Sequence, residues 1–423
     1  MKALLSCRLL LVIVLLFAFG AIAYAQSKVQ KVDRTQGSGK KNERPAPKTE
    51  EEAKKEEELR RKEEEQRKID EEMRSAEKDD EAVVVKTNIV NVDTVVYDKK
   101  SGQIITGLKK ENFAIFEDGK KVDIAQFATP EAPITVTLVV EYSKWSEVFG
   151  LYANRGFEAG KLEVVRPVAY FLQRFIKPPD DYASVIAFDI RPTPITDFTN
   201  DPNRLRQTID LLLRNNPAFR ENNLFDSLKF ALVGGKGDSV VLENSKEEYA
   251  QYGGMVDVRA KRRAIIVVAS GINTFSKISY DDARKVVQQS GVPIYLLSTG
   301  NLFYKMYEQY LPPTDGLNGM PGRLTFLQAQ NTMNTFAKES GGRHIPITFE
   351  GEIPSALQSI NALLRNQYSI AYDAGETPKD GKKRKIEVKV DLNGDGIYEE
   401  KQLEIQHRPF WVSEKPEQEK KKK

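Results

Sequence analysis

The sequence is poor in cysteine and histidine: 423 residues contain one cysteine, Cys7, and two histidines, His344 and His407. If residues 1–25 are removed, no thiol remains, which excludes disulfides, cysteine-ligated zinc and thiol catalysis together. Two histidines leave little for imidazole acid–base chemistry, and neither has a nucleophile beside it in the sequence. An excess of charge is missing too. Lys+Arg number 64 and Asp+Glu 61, a net of +3, so neither nucleic acid nor an acidic lipid surface is the expected partner. With 30% charged and 40% hydrophobic residues, a polytopic membrane protein is excluded.

The long apolar run that does exist is N-terminal. Lys2 and Arg8 flank a short leader, residues 9–19 are apolar, and Ala23-Tyr24-Ala25 before Gln26 fits the small-x-small rule of signal peptidase. Residues 1–25 therefore read as a signal peptide cleaved after Ala25, and the product as exported, periplasmic or secreted, with no stable membrane insertion. An uncleaved anchor is the other reading, but the 17 residues from Leu9 to Ala25 fall short of a comfortable span, which takes ~20.

Residues 26–47 are mostly Ser, Gly, Lys, Arg, Pro and Gln with almost nothing apolar, and read as a disordered linker. Residues 48–81 carry 16 acidic and 10 basic residues in an ordered pattern. Glu50/Lys54, Glu56/Arg60, Glu57/Arg61 and Glu63/Arg67 are acid-to-base pairs four apart, each worth ~0.2–0.5 kcal/mol to a helix. Ala53, Leu59, Ile69, Met73 and Ala76 do not keep the 3.5-residue spacing of a coiled coil. A charged, solvated helical spacer is the expectation.

Residues 82–128 change to short β-like runs separated by Asp98-Lys99-Lys100-Ser101-Gly102 and Glu117-Asp118-Gly119-Lys120, the turn chemistry of a small antiparallel β-domain. From 133 to 365, buried-strand patterns at 134–140, 182–188, 264–269 and 293–298 alternate with helical periodicity at 162–176, 201–213, 224–233, 281–289, 324–338 and 353–364. Such alternation specifies an α/β domain with a doubly wound, mostly parallel sheet. Residues 366–412 return to strands, and 413–423, Ser413 followed only by Glu, Lys, Pro and Gln, are expected to be disordered.

Several segments together resemble one family. Val95-Val96-Tyr97-Asp98, Thr106-Gly107-Leu108, Asn112-Phe113 and Phe116-Glu117-Asp118-Gly119 are similar to the N-terminal part of acidobacterial von Willebrand factor type A-related proteins. Val140-Glu141-Tyr142-Ser143, Asn222-Asn223-Leu224-Phe225-Asp226 and Val267-Val268-Ala269-Ser270-Gly271 fall where a type A domain keeps its three metal-site loops. Ser340-Gly341-Gly342-Arg343 and the 364–388 segment extend the resemblance over residues 82–412.

The resemblance implies a von Willebrand factor A-like fold and a metal-ion-dependent adhesion site at the strand ends. There hydroxyls ligate a divalent cation, carboxylates hold its waters, and an open position takes a partner's carboxylate. The family pattern is Asp-x-Ser-x-Ser, then Thr, then Asp. This chain has Glu141, Ser143 and Trp145, then Asn222, then Ser270, with Ser146 available to stand in for the missing serine. Only Ser143 is retained, and the third-loop carboxylate is gone, so the site is degenerate.

Loops predicted at the same face carry aromatics: Trp145, Phe149, Tyr152, Phe157, Phe219, Phe275, Phe303, Tyr304, Tyr307 and Tyr310. Aromatics at loop tips are common interface anchors, and the other reading is local loop cores. A second candidate metal site is Asp391-Leu392-Asn393-Gly394-Asp395-Gly396, whose Asp391, Asn393 and Asp395 match positions 1, 3 and 5 of a calcium loop. Gln402 in place of the closing Glu and the strand-like flanks fit an Asx-Gly hairpin turn equally well, with Glu399 or Glu400 the carboxylate that could complete a site. Ca2+ or Mg2+ are the cofactors these residues would take. Gly234-Gly235-Lys236-Gly237 lacks Walker spacing, and Ser270-Gly271 lacks a nucleophile elbow. The expected function is an exported, non-enzymatic, adhesion-type module binding an unidentified protein through strand-end loops. The alternative is an envelope scaffold contacting its partners through the charged helix or tail.

Overall fold

The computed structural model describes residues 89–413 except 131, 145–156, 216–218, 238–249, 259, 261, 318, 350 and 376. The chain divides into Met1–Val84 and Val85–Lys423, and every described residue belongs to the second unit. The signal peptide, the linker, the charged spacer, Trp145, Ser146, Phe149, Tyr152 and the tail beyond residue 413 lie outside the described residues.

Alternation of buried and half-exposed side chains gives β1 (Ile89–Asp98), and short turn-bounded runs give β2 (Phe113–Glu117), β3 (Lys120–Val122) and β4 (Ile124–Ala128). Far along the chain follow β13 (Tyr368–Asp373), β14 (Lys383–Val390), β15 (Leu403–Gln406) and β16 (Phe410–Val412). These eight strands form two four-stranded sheets, β15-β1-β13-β4 and β16-β14-β2-β3. Each sheet mixes strands from both ends of the described chain: Asp93 faces Ser369 and Val96 faces Ile405 in one, Ile115 faces Val388 in the other. Their inner faces meet in a core of Val92, Val96, Ile115, Tyr368, Tyr372, Val388 and Trp411. Glu117 sits at the edge of that core and accepts the Trp411 Nε1–H at 2.7 Å and the Tyr372 hydroxyl at 2.5 Å.

Between β4 and β13 lies a six-stranded sheet of order β12-β11-β10-β5-β6-β7. It comprises β5 (Ile134–Glu141), β6 (Tyr182–Phe188), β7 (Pro192–Thr199), β10 (Arg262–Ala269), β11 (Ile294–Ser298) and β12 (His344–Pro346). All are parallel except β7, which runs antiparallel on one edge. Every residue of β5 is buried, as expected of a strand covered on both faces. On one face Val136, Leu138 and Val140 pack with α1 (Phe157–Arg174), α2 (Pro202–Arg214) and α7 (Glu352–Asn366). On the other, Val139, Ile265 and Val267 pack with α3 (Leu224–Val233), α4 (Tyr280–Ser290) and α6 (Arg323–Ser340). Each fully buried Val, Leu or Ile contributes ~1.5–3 kcal/mol. A short ribbon of β8 (Gly234–Gly237) and β9 (Ala250–Gly253) and the helix α5 (Gly300–Tyr307) complete the layer.

The helix limits are set locally. Asp201 accepts the Asn203 N–H at 2.8 Å, with Pro202 in the first turn of α2. Gly341, at φ 87°, stops α6 in the left-handed conformation. Strand β7, helix α5 and the β8–β9 ribbon were not expected from the sequence. Two prolines in β7, at 192 and 194, argue against a strand but are tolerated on an edge.

The sandwich is joined to the parallel sheet at the N-terminal ends of its strands. Val95 enters the α/β core. The buried Arg262, first residue of β10, donates to the carbonyls of Pro130 and Ala132 in the connection out of β4. Gln406 donates to the carbonyls of Gly341 and Gly342, and Arg408 to that of Gln288, at the C-terminal ends of α6 and α4. Asp181 ties the same end together, accepting from the amides of Ile134 and Lys177 and from both terminal nitrogens of Arg365. The C-terminal ends of the parallel strands lie at the opposite side.

Candidate functional site

Parallel registry of β5 with β10 sets Val140 beside Val268, so the residues just beyond, Glu141 and the Ser270 turn, converge at the C-terminal edge. Glu141 is 4% exposed. Its Oε2 accepts the Ser270 backbone N–H and the Ser270 hydroxyl, each at 2.7 Å. Its Oε1 accepts the Ser143 hydroxyl at 2.9 Å and the Asn222 Nδ2–H at 3.1 Å. Burial pushes the Glu141 carboxyl above its ordinary range, against the opposing pull of the bonds from Ser270, Ser143 and Asn222. The four described strand-end residues singled out from the sequence thus meet around one carboxylate.

Among the described residues this arrangement is poor in the charge that a divalent cation requires. A hard cation takes six or more oxygen ligands, with carboxylates supplying the charge. Here Glu141 is the only carboxylate of the four, and the two serine hydroxyls and the Asn222 amide that surround it bring no charge. Asn222 Oδ1 is buried and without a partner among the described residues.

From this core the contacts run outward to the surface. The Asn222 carbonyl accepts the amides of Thr274 and Phe275 at 3.1 and 2.8 Å, and the Asn222 N–H donates to Thr274 Oγ1 at 2.8 Å. The Lys144 amide donates to the Phe219 carbonyl at 2.7 Å. Phe219 and Phe275 are left 45% and 55% exposed. Close packing beneath requires glycine at 300, where a Cβ would lie 2.4 Å from the Ser270 carbonyl oxygen.

The aromatics after β11 divide. Tyr304 is buried against Phe326 in a local cluster with Ile272 and Ala329, and its hydroxyl donates to Glu308 at 3.0 Å. It is therefore loop core, not the contact residue expected from the sequence; an amphipathic α5, not an open loop, carries it inward. Tyr307 lies half-buried on Phe303, with ring centroids 4.7 Å apart. Tyr310 is exposed, as are Leu317 and Phe349, which sequence reasoning did not single out. Phe349 lies three residues past the end of β12, so its position after a parallel strand was the available signal.

The second candidate is a turn between β14 and β15. Asp391 accepts the amides of Gly394 at 2.7 Å and Gly396 at 2.8 Å, and Asp395 accepts that of Ile397 at 2.8 Å. Asn393 Nδ2 donates to Asp395 at 3.1 Å, and Glu399 accepts the Leu392 amide at 2.9 Å. Burial works against the Asp391 carboxylate, but the loop amides outweigh it and hold the group below its ordinary range. Ligand atoms of Asp391, Asp395 and Glu399 lie within 4.8 Å of one another. Of the two completing carboxylates considered from the sequence, the fold brings in Glu399; Glu400 pairs with Lys389.

Neither histidine is among the hydrogen-bond partners of Ser270. Burial pushes His344 down to about 4, and His407 is lowered by the same cause. Among the described residues no helix is long and apolar enough to cross a membrane.

No protein-family profile and no curated protein matches the chain. Solved structures similar to it include proximal thread matrix protein 1 from the mussel byssus, at 12% identity and a TM-score of 0.37, over 59% of this chain and 50% of that one. The vWF domain of the type V pili tip protein Mfa5 from Porphyromonas gingivalis is similar at 14% identity and a TM-score of 0.31, over 56% of this chain and 95% of that one. The PilB minor pilin from Streptococcus sanguinis is similar at 10% identity and a TM-score of 0.38, over 67% and 88%. The chain spans about half the length of the mussel protein.

Proposed function

We propose that this is an exported, non-enzymatic protein-binding module that engages a protein partner through the loops at the C-terminal ends of its parallel strands, with a degenerate adhesion site beneath them. One observation carries the reading: exposed Phe219, Phe275, Tyr310, Leu317 and Phe349 all lie on connections that leave or adjoin that end of the sheet, while the sandwich is attached at the other. Apolar side chains gathered on one face are characteristic of interaction surfaces. A photo-crosslinking residue at position 275, compared with one at the exposed Tyr182 of the opposite end, tests it. Adducts with a discrete protein from position 275 alone support the reading; equal adducts from both, or from position 182 alone, reject it.

A second, separate binding role is assigned to the turn at 391–399. Convergence of the Asp391, Asp395 and Glu399 carboxylates supports a hard divalent cation there, Ca2+ being the better match for a flexible all-oxygen loop. Its role would be to brace the β14–β15 connection of the sandwich, remote from the strand-end loops.

A further inference from the structure

We infer that Glu141 is the positioning residue of the strand-end face, its carboxylate holding the loops together where a cation would otherwise be needed. The face is therefore organised without metal. Three separate segments are tied to the one carboxylate: 141–143 through Ser143, 219–223 through Asn222, and 270–275 through the Ser270 amide and hydroxyl. Asn222 passes the constraint on, since its carbonyl fixes the amides of Thr274 and Phe275. Lys144, next to Ser143, fixes the carbonyl of Phe219. Phe275 is thus one hydrogen bond from Asn222, a direct partner of Glu141, and Phe219 is one hydrogen bond and one residue from Ser143, another.

The chemistry requires a carboxylate. Four donors converge on two oxygens, and donors to an ionised or strongly polarised acceptor make short bonds, here 2.7 Å on the Ser270 side. A carboxamide offers one oxygen, so its Nε2–H would meet either the Ser270 amide, which can only donate, or Ser143 and Asn222, which would have to reverse their roles. In a buried network an opposed donor pair costs more than a lost bond in water. The inference concerns the free protein and does not depend on what docks at the surface.

Hydrogen exchange of the full chain, read by mass spectrometry over 219–223 and 270–275, tests it. Protection there is expected to be the same in EDTA as in millimolar Mg2+, Mn2+ or Ca2+. Glu141→Gln should accelerate exchange in both segments by about tenfold or more, with smaller changes in the sandwich strands. Asp181→Asn, at the opposite end of the sheet, serves as the control for general loosening and should not single out these segments. If Glu141→Gln does not fold, Ser270→Ala removes one donor and should raise exchange selectively in 270–275. Protection that collapses in EDTA and returns with a cation overturns the inference, as does a folded Glu141→Gln, or Ser270→Ala in its place, whose loops remain as protected as wild type.

Discussion

Glu141 receives both the backbone N–H and the side-chain hydroxyl of Ser270, each at 2.7 Å, on a single carboxylate oxygen. A terminal residue of one central strand is thereby locked to the first turn after its neighbour. Ser270→Ala removes one charge-assisted bond and should lower stability by ~1.5–3 kcal/mol. Glu141→Ala orphans the donors of Ser270, Ser143 and Asn222 and should cost more, because each buried unsatisfied donor carries ~1–3 kcal/mol. Urea denaturation checks both, with the midpoint falling and the slope unchanged.

Phe219 and Phe275 are each about half exposed in the free protein. Replacing both with Ser should cost ~2 kcal/mol of stability, leaving the protein folded, while reducing the yield of adducts from a crosslinker placed at Tyr310. Unchanged adduct formation would remove the two phenylalanines from the contact surface.

Asp181 gives an acid-side prediction. Burial works against its charge, but Arg365 and the amides of Ile134 and Lys177 outweigh it and hold the carboxyl below its ordinary 3.8. A depressed acid contributes stability that is present in full above the unfolded value and is lost as pH falls through the folded one. Wild type should therefore lose stability below about pH 4, and Asp181→Asn should show a weaker dependence there. Asp181→Ala leaves the half-buried Arg365 with the Phe175 carbonyl and strips the Ile134 and Lys177 amides of their acceptor, and should cost ~1–3 kcal/mol at neutral pH, measurable by thermal and urea unfolding.

Calcium should raise the melting temperature of wild type in proportion to the logarithm of its concentration once the turn at 391–399 is saturated, amounting to ~2.7 kcal/mol at a hundred times the dissociation constant. Glu399→Gln and Asp395→Asn should abolish the increment while leaving the metal-free melting temperature nearly unchanged, since a carboxamide oxygen can still accept the Leu392 and Ile397 amides. A calcium response that survives both substitutions would place the ion elsewhere.

The parallel core was legible because strands covered on both faces must be apolar throughout: residues 134–140 and 264–269 declare themselves by composition alone. β7 was not, since Pro192, Pro194 and Asp197 belong to an edge strand with weak demands on side-chain type. The site was legible as a set of residues and not as an arrangement. Resemblance collected Glu141, Ser143, Asn222 and Ser270, but their closure on themselves depends on distances that no sequence spacing reports. Tyr304 failed for the same reason: ten aromatic positions look alike in a list of loops, and only the path of α5 decides that this one turns inward.

The interleaving of strands in the sandwich bears on how load travels through the molecule. Tension applied between Ile89 and Val412 acts on β1 and β16, which open and close the described chain and are held in sheets with β13, β15 and β14. The six-stranded layer branches from that framework between β4 and β13. Force directed along the chain ends would therefore be resisted first by backbone hydrogen bonds of the sandwich. The six-stranded layer, inserted between strands of that framework, would be loaded only after the sandwich gives way.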